Sequence, residues 1–206
     1  MTTAASSLGP VSARRSTYSS VAILLHWLIA ALILANIGLA WYFNSLPSLQ
    51  RFAPAALHKS IGITVLLLTL LRICWRFASP PPPLPSTLPA WERWAARASH
   101  LMFYVIMLGM PLSGWAMTSA SRLYPLHPTV LYGVLPWPRF PFPGVDPDGL
   151  HDAQKLFEKT HGLLALVAYA TIALHVAAAL KHHLIDRDDV LGRMIPFFRR
   201  KTGAAL

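Results

Sequence analysis

Charge is scarce in this chain of 206 residues. Asp, Glu, Lys and Arg together make up 13% of it, where a soluble domain carries about a quarter. A globule so short of charge could not clothe its surface, which excludes an ordinary water-soluble enzyme. Acidic residues are scarcest, 8 against 18 Lys and Arg, for a net charge of +10. There is one cysteine, Cys74, expected as a buried, inert thiol. One cysteine allows no internal disulfide framework, no Cys-x-x-Cys-His haem attachment and no protein-held iron–sulfur cluster. A flavin-binding motif and a repeat of about 20–50 residues are also missing. What abounds is apolar length: 54% of residues are hydrophobic and mean hydropathy is +0.46. Basic nucleic-acid binders share the charge but not the long apolar runs, so the charge reads as membrane orientation.

A bilayer-crossing helix needs about 20 mostly apolar residues. Four stretches qualify: residues 21–43, about 55–77, the charge-free run between Arg97 and Arg122, and 160–180. Lys59 and Arg72 flank the centre of the second, where long basic side chains can snorkel. Pro111 and Gly114 are expected to bend the third. The expected fold is therefore all-α, an integral membrane four-helix bundle. Prolines 80–83, 85 and 89 make an extended linker. Residues 121–158, with seven prolines, read as a long irregular loop whose Trp137, Phe140 and Phe142 suit a membrane–water interface.

With both termini on one side, twelve of the 18 Lys and Arg residues lie there and six on the other. Acids divide evenly, leaving +8 against +2, so the positive-inside rule puts both termini in the cytoplasm. Arg14-Arg15 before an apolar run resembles a twin-arginine signal. No small-residue cleavage site ends that run, however, and it is long enough to span.

Histidine within a span is costly and marks function. Four of the nine histidines form a pattern. His161 and His175 are 14 residues apart on the fourth helix, so they point within roughly 40° of one another and differ in depth by about 21 Å. His26 starts the first helix from the inner side and His58 starts the second from the outer side. Opposed chain directions then pair His26 with His175 and His58 with His161, two layers inside one bundle. Zinc wants four donors, and no cysteine or carboxylate lies at either depth. Haem brings four nitrogens and asks the protein only for axial ligands. Two b-type haems are the expected cofactors, with Gly62 and Gly162 leaving room for a flat macrocycle. Interhelical hydrogen bonding, a proton relay, or a zinc or nickel site are the alternatives.

Arg72 lies 14 residues after His58 and turns toward the inner layer, as a partner for a haem propionate or as a plain anchor. Arg76 is a weaker case of the same kind. His100 is a candidate to bind a propionate or a quinone carbonyl, or an interfacial residue. His182 is a rival inner ligand but shallower than His26. His127, His151 and His183 read as surface residues; Met102, Met107, Met110 and Met117 read as packing.

The segments Tyr18–Trp27 (YSSVAILLHW), His58–Gly62 (HKSIG), His161-Gly162, Ala173–His183 (ALHVAAALKHH) and the ending through Met194-Ile195-Pro196 resemble the bacterial cytochrome b561 family, over roughly residues 17–198. The resemblance puts that family's four axial positions on His26, His58, His161 and His175. It implies an inner-membrane di-haem electron carrier that exchanges electrons with the ubiquinone pool. It further implies oxidation of superoxide from the periplasm, with ubiquinone as acceptor. Residues 121–158 look longer and richer in proline than in compact members. The expected organisation is a disordered cytoplasmic N-terminus (1–17), a four-helix transmembrane cytochrome b domain (18–198) and a basic cytoplasmic tail (199–206).

Two axial histidines close the iron to direct oxygen chemistry and favour outer-sphere electron transfer. Lys59, Lys155, Lys159, Arg122 and Arg139 are the outer cations that could draw in a small anion. Three readings stand: a superoxide:ubiquinone oxidoreductase; the haem-b subunit of a larger dehydrogenase or hydrogenase, which would require a protein partner; and a histidine-based metal transporter.

Overall fold

The computed structural model describes residues 18–83, 89–188 and 190–195. The expectations for residues 1–17 and 199–206 lie outside the described residues.

Among the described residues the chain forms four long helices: α1 (Ser20–Ser45), α2 (Phe52–Ala78), α3 (Ala90–Ala120) and α4 (Pro147–Lys181). All four are long and apolar enough to cross a membrane. Their outer surfaces are inverted relative to a soluble protein: Leu24, Trp41, Leu166 and Leu174 face outward. In lipid, every backbone polar group must be satisfied within the protein, which only helices, through bonds inside one segment, or closed barrels achieve.

The helix ends follow local chemistry. Ser19 caps α1, its hydroxyl accepting the Ala22 N–H at 3.3 Å. Asp146 caps α4, its carboxylate accepting the Gly149 N–H at 2.7 Å. Pro147 then occupies the first turn, where a missing N–H costs nothing. This corrects the expectation that residues 121–158 are irregular throughout: α4 begins 13 residues before position 160, because Pro147 starts a helix rather than breaking one. α3 likewise begins at Ala90, ahead of Arg97, and runs unbroken through the buried Pro111.

Residues 121–146 are also more ordered in kind than expected. Val130–Leu131 (β1) pairs antiparallel with Leu135–Pro136 (β2) across a turn where Tyr132 and Gly133 have φ of 52° and 73°. Positive φ is uncommon for a bulky residue, and Tyr132 is held there from both ends. Its N–H donates to Ser60 Oγ at 2.9 Å and its hydroxyl meets Thr64 Oγ1 at 2.7 Å, both on α2. The rest of the loop docks on α3: the Trp115 indole donates to the Pro138 carbonyl, and Arg139 donates to the Ser119 carbonyl at 2.7 Å. Phe140 and Phe142 pack with Trp115 and Phe157 into an aromatic cluster.

Around the bundle, α1 packs on α2, α2 on α3 and α3 on α4. α1 and α4 reach each other mainly through side chains, such as the Trp41 indole on the Tyr169 hydroxyl at 3.2 Å. Ile29, Val65 and Met107 form the buried centre, with Leu32, Leu68 and Phe103 around them. Cys74 is exposed, not buried as expected. It shares the outward face of α2 with Leu67, Leu70, Leu71 and Phe77, at the i, i+3, i+4, i+7 spacing of one helix side.

Candidate functional site

The helices bring the four expected histidines together as two pairs. His58 and His161 face each other at the end of the bundle that carries residues 121–146, with ring centroids 6.3 Å apart and planes at 70°. His26 and His175 do so at the opposite end, beside the proline linker, again at 6.3 Å, with planes at 62°. These are the loop-end and linker-end pairs. The apolar plug of Ile29, Val65 and Met107 packs in the bundle centre. A metal held axially by two imidazoles lies about 2 Å from each nitrogen, and each nitrogen about 1.1 Å from its centroid, so a spacing slightly over about 6 Å suits one ion between each pair.

At the loop end the ring orientation is fixed by backbone. His58 Nδ1 lies 3.2 Å from the Asn36 carbonyl. His161 Nδ1 lies 3.0 Å from the Met110 carbonyl and 3.1 Å from Ser113 Oγ. A carbonyl only accepts, so Nδ1 carries the proton in both rings and Nε2 keeps a free lone pair, the arrangement of a metal-ligating histidine. The pair opens into an apolar cavity of about 980 Å³, counted with its open mouth. Asn36 Oδ1 and Thr129 Oγ1 line it as buried polar atoms without a hydrogen-bond partner. Gly114 lines it too, and a Cβ there would sit 3.2 Å from His161 Cε1. Gly62 is also in the lining; Gly162 is not, so the space expected beside it is supplied by Gly114.

At the linker end the structure adds a third imidazole. His100 lies 6.3 Å from His175 at 61°, nearly repeating the geometry of His26, and Phe103 packs on His175 at 5.1 Å. Arg72 reaches this layer as expected: its guanidinium donates to the Ala22 carbonyl at 3.2 Å, one turn before His26. Arg72 and Arg76 line a second, smaller pocket with Trp75 and Tyr104, and Arg76 lies over the Tyr104 ring. His182 stays outside the layer. Its Nδ1 contacts Asp188 at 2.8 Å and Asp186 at 3.2 Å. His127 is exposed and stacked on Phe52, while His151 and His183 are half-buried.

Among the described residues, three metal-donor side chains converge only at Glu92, His182 and Asp186. There the Lys181 ammonium already bridges the two carboxylates, at 2.9 and 2.7 Å. Among the described residues, no third donor atom converges with either facing pair, the donor atoms of His100 included, so the layers fit a cofactor that brings its own equatorial nitrogens. Haem is such a group, and the cavity, the free Nε2 atoms and the glycine beside His161 fit it.

Of the expected loop-end cations, Lys59 is half-buried in the cavity wall. Lys155 and Lys159 are exposed one turn apart on α4. Arg139 is bound to Ser119 and stacked near Tyr124. Arg122 faces Asp148 at 3.8 Å, with both side chains largely in solvent.

Four apolar helices enclosing two layers of facing imidazoles define a multi-pass membrane protein of the cytochrome b type. Comparison of the sequence agrees: a family model described as Prokaryotic cytochrome b561 matches residues 17–197. The chain belongs to the prokaryotic cytochrome b561 family. It is 35% identical over 182 residues to cytochrome b561 homolog 2 of Escherichia coli (strain K12), covering 86% of this chain and 90% of that one. It is 31% identical over 186 residues to a protein of Yersinia pestis named probable superoxide oxidase CybB, covering 87% and 96%. Membership implies haem b as the cofactor class.

Proposed function

We propose that the chain carries electrons across the inner membrane between two b-type haems, taking them from superoxide on the periplasmic side and delivering them to ubiquinone. His58 and His161 would hold the loop-end haem, His26 and His175 the linker-end haem. The observation that carries this reading is the pair of imidazole pairs, each with ring centroids 6.3 Å apart, at opposite ends of one bundle. The name of the Yersinia pestis relative supports superoxide as donor. Each superoxide gives up one electron and becomes oxygen; ubiquinone takes two electrons and two protons. Haem bound at these layers supplies one-electron exchange without an open coordination position.

The chain's residues do the rest. Asn36 and Met110 carbonyls orient the loop-end imidazoles. Arg72, or Arg72 with His100, is placed to hold propionate at the linker end. Lys59, Lys155 and Lys159 draw a small anion to the loop end, an attraction screened over about 8–10 Å at physiological salt.

Stopped-flow mixing of the oxidised, haem-loaded protein with superoxide tests the donor. Haem reduction is expected to outrun spontaneous dismutation and to slow as salt rises. Lys155→Gln/Lys159→Gln should slow it several-fold with an unchanged haem spectrum, below the roughly 10–10³ range for full electrostatic steering, because Asp152 and Glu158 lie on the same stretch of α4. Haem reduction no faster than dismutation would sink the superoxide reading and favour a subunit fed by a protein partner.

The same proposal puts both termini in the cytoplasm. A reporter active only in the periplasm, fused after Leu206, should stay silent; a strong signal would reverse the orientation.

A further inference from the structure

The smaller pocket sits beside the linker-end layer without belonging to it. It measures about 380 Å³, counted with its open mouth, and lies between the start of α1, the end of α2 and the first prolines of the linker. None of the linker-end imidazoles lines it: His26, His100 and His175 are all outside. Arg72 and Arg76 do line it, one turn apart on α2, and residues at that spacing share one side of a helix. Among the described residues no carboxylate lines the pocket, and no ion pair engages either arginine.

Neutral donors add to the two charges. The Ser19 hydroxyl oxygen accepts twice, from the Ala22 N–H at 3.3 Å and from the Trp75 indole at 2.9 Å. Its own hydrogen is left to donate, at a residue in the pocket wall. Ser19 is also the N-cap of α1, so the positive end of that helix dipole adjoins the same space. Arg72 is anchored on the Ala22 carbonyl at 3.2 Å, in the first turn of that helix. Arg76 lies over the Tyr104 ring, a contact through the guanidinium face that leaves its N–H edges to bind a ligand. Two guanidinium forks and a hydroxyl at a helix start, with no acid among them, form the donor set of a phosphate. The volume suits a headgroup, where the cavity between His58 and His161 measures about 980 Å³.

Position says what brings the phosphate. The outward face of α2 carries Leu70, Leu71 and Cys74 up to Phe77, which is 82% exposed one residue past Arg76. Trp91 and Trp94 are exposed at the start of α3. Apolar side chains up to this level, with indoles beside it, mark the boundary between acyl chains and headgroups. Basic pockets between membrane helices at that boundary take anionic headgroups.

We propose that this pocket binds a phosphate-bearing anion, the headgroup of an acidic phospholipid, with Arg76 as its principal contact and Arg72 and Ser19 beside it. The test is native mass spectrometry of the purified, haem-loaded chain after exchange into detergent containing phosphatidylglycerol or phosphatidylcholine. One phosphatidylglycerol is expected to stay bound, while phosphatidylcholine, whose choline cancels the phosphate charge, is lost. Arg76→Gln should lower the retained phosphatidylglycerol several-fold with an unchanged helical circular dichroism spectrum, and Arg76→Lys, which keeps the charge, should restore part of it. Inorganic phosphate separates the two sources of the anion. A headgroup site keeps its phosphatidylglycerol in the presence of inorganic phosphate; displacement that depends on Arg76 would support the anion site and give it to free phosphate. Equal retention by the native chain and Arg76→Gln would overturn the proposal, as would phosphatidylcholine held as firmly as phosphatidylglycerol. Haem loss in Arg76→Gln would overturn it too, by assigning Arg76 to a haem propionate.

Discussion

Replacing His58 with alanine is expected to remove one of two haems from the purified chain and leave the other. His58 is one of two rings facing across the loop-end cavity, and its partner His161 cannot supply the opposite axial position. Losing an outer-sphere partner of a metal ligand typically costs about 10–100-fold in affinity; losing the ligand itself costs more, enough to empty the site during purification. The linker-end pair should survive, because His26 and His175 share no hydrogen-bond partner with His58 and face each other at the opposite end of the bundle. Pyridine haemochrome analysis against protein concentration should give two haems per native chain and one per variant. Two haems retained, or both lost, contradicts the pairing.

The second large effect is expected at a residue that binds nothing. Gly114 lies against the His161 ring, 3.2 Å from Cε1 and 3.4 Å from Nδ1 to where a Cβ would be. Gly114→Val places a branched side chain in that gap. The ring cannot retreat freely, since its Nδ1 is tied to Met110 and Ser113. Overpacking of this kind costs about 1–3 kcal/mol, which a four-helix membrane bundle can absorb while the ring is pushed off its axis. The expected result is a folded chain with both loop-end histidines present and the loop-end haem largely lost. Haem content near one per chain, with a helical circular dichroism spectrum unchanged, is the signature. Full occupancy would mean that the ring has room the geometry denies it.

How much of this was legible in the sequence follows from what each feature depends on. The four spans depend on apolar length, and length is plain in the composition. The histidine pairs depend on two helix periods and opposed chain directions, both of which 14-residue spacing encodes. The start of α4 was missed because seven prolines between 121 and 158 read as breakers, whereas Asp146-Pro147 is a cap and first turn. Cys74 was misplaced because burial in a membrane bundle concerns which side faces lipid, and an apolar residue suits either side. The acceptors for His58 and His161 are main-chain carbonyls, which every residue carries, so no side chain announces them. Ser113 and Gly114 did leave a trace: a hydroxyl inside a span must find a partner, and a glycine there marks a close approach. The position of His100 beside His175 depends on how α3 packs on α4, which periodicity alone does not fix.

The 14-residue step from His161 to His175 also sets an electrical scale. Its rise of about 21 Å is roughly two-thirds of a hydrocarbon core of about 30 Å. On the proposed two-haem reading, an electron that moves from one layer to the other crosses most of the membrane's voltage drop. Full transit of one charge is worth about 2.3 kcal/mol per 100 mV, so this passage is worth about 1.5 kcal/mol. Inward flow runs against a membrane that is negative inside. In energised vesicles the electron should accordingly settle further toward the loop-end layer than it does in detergent.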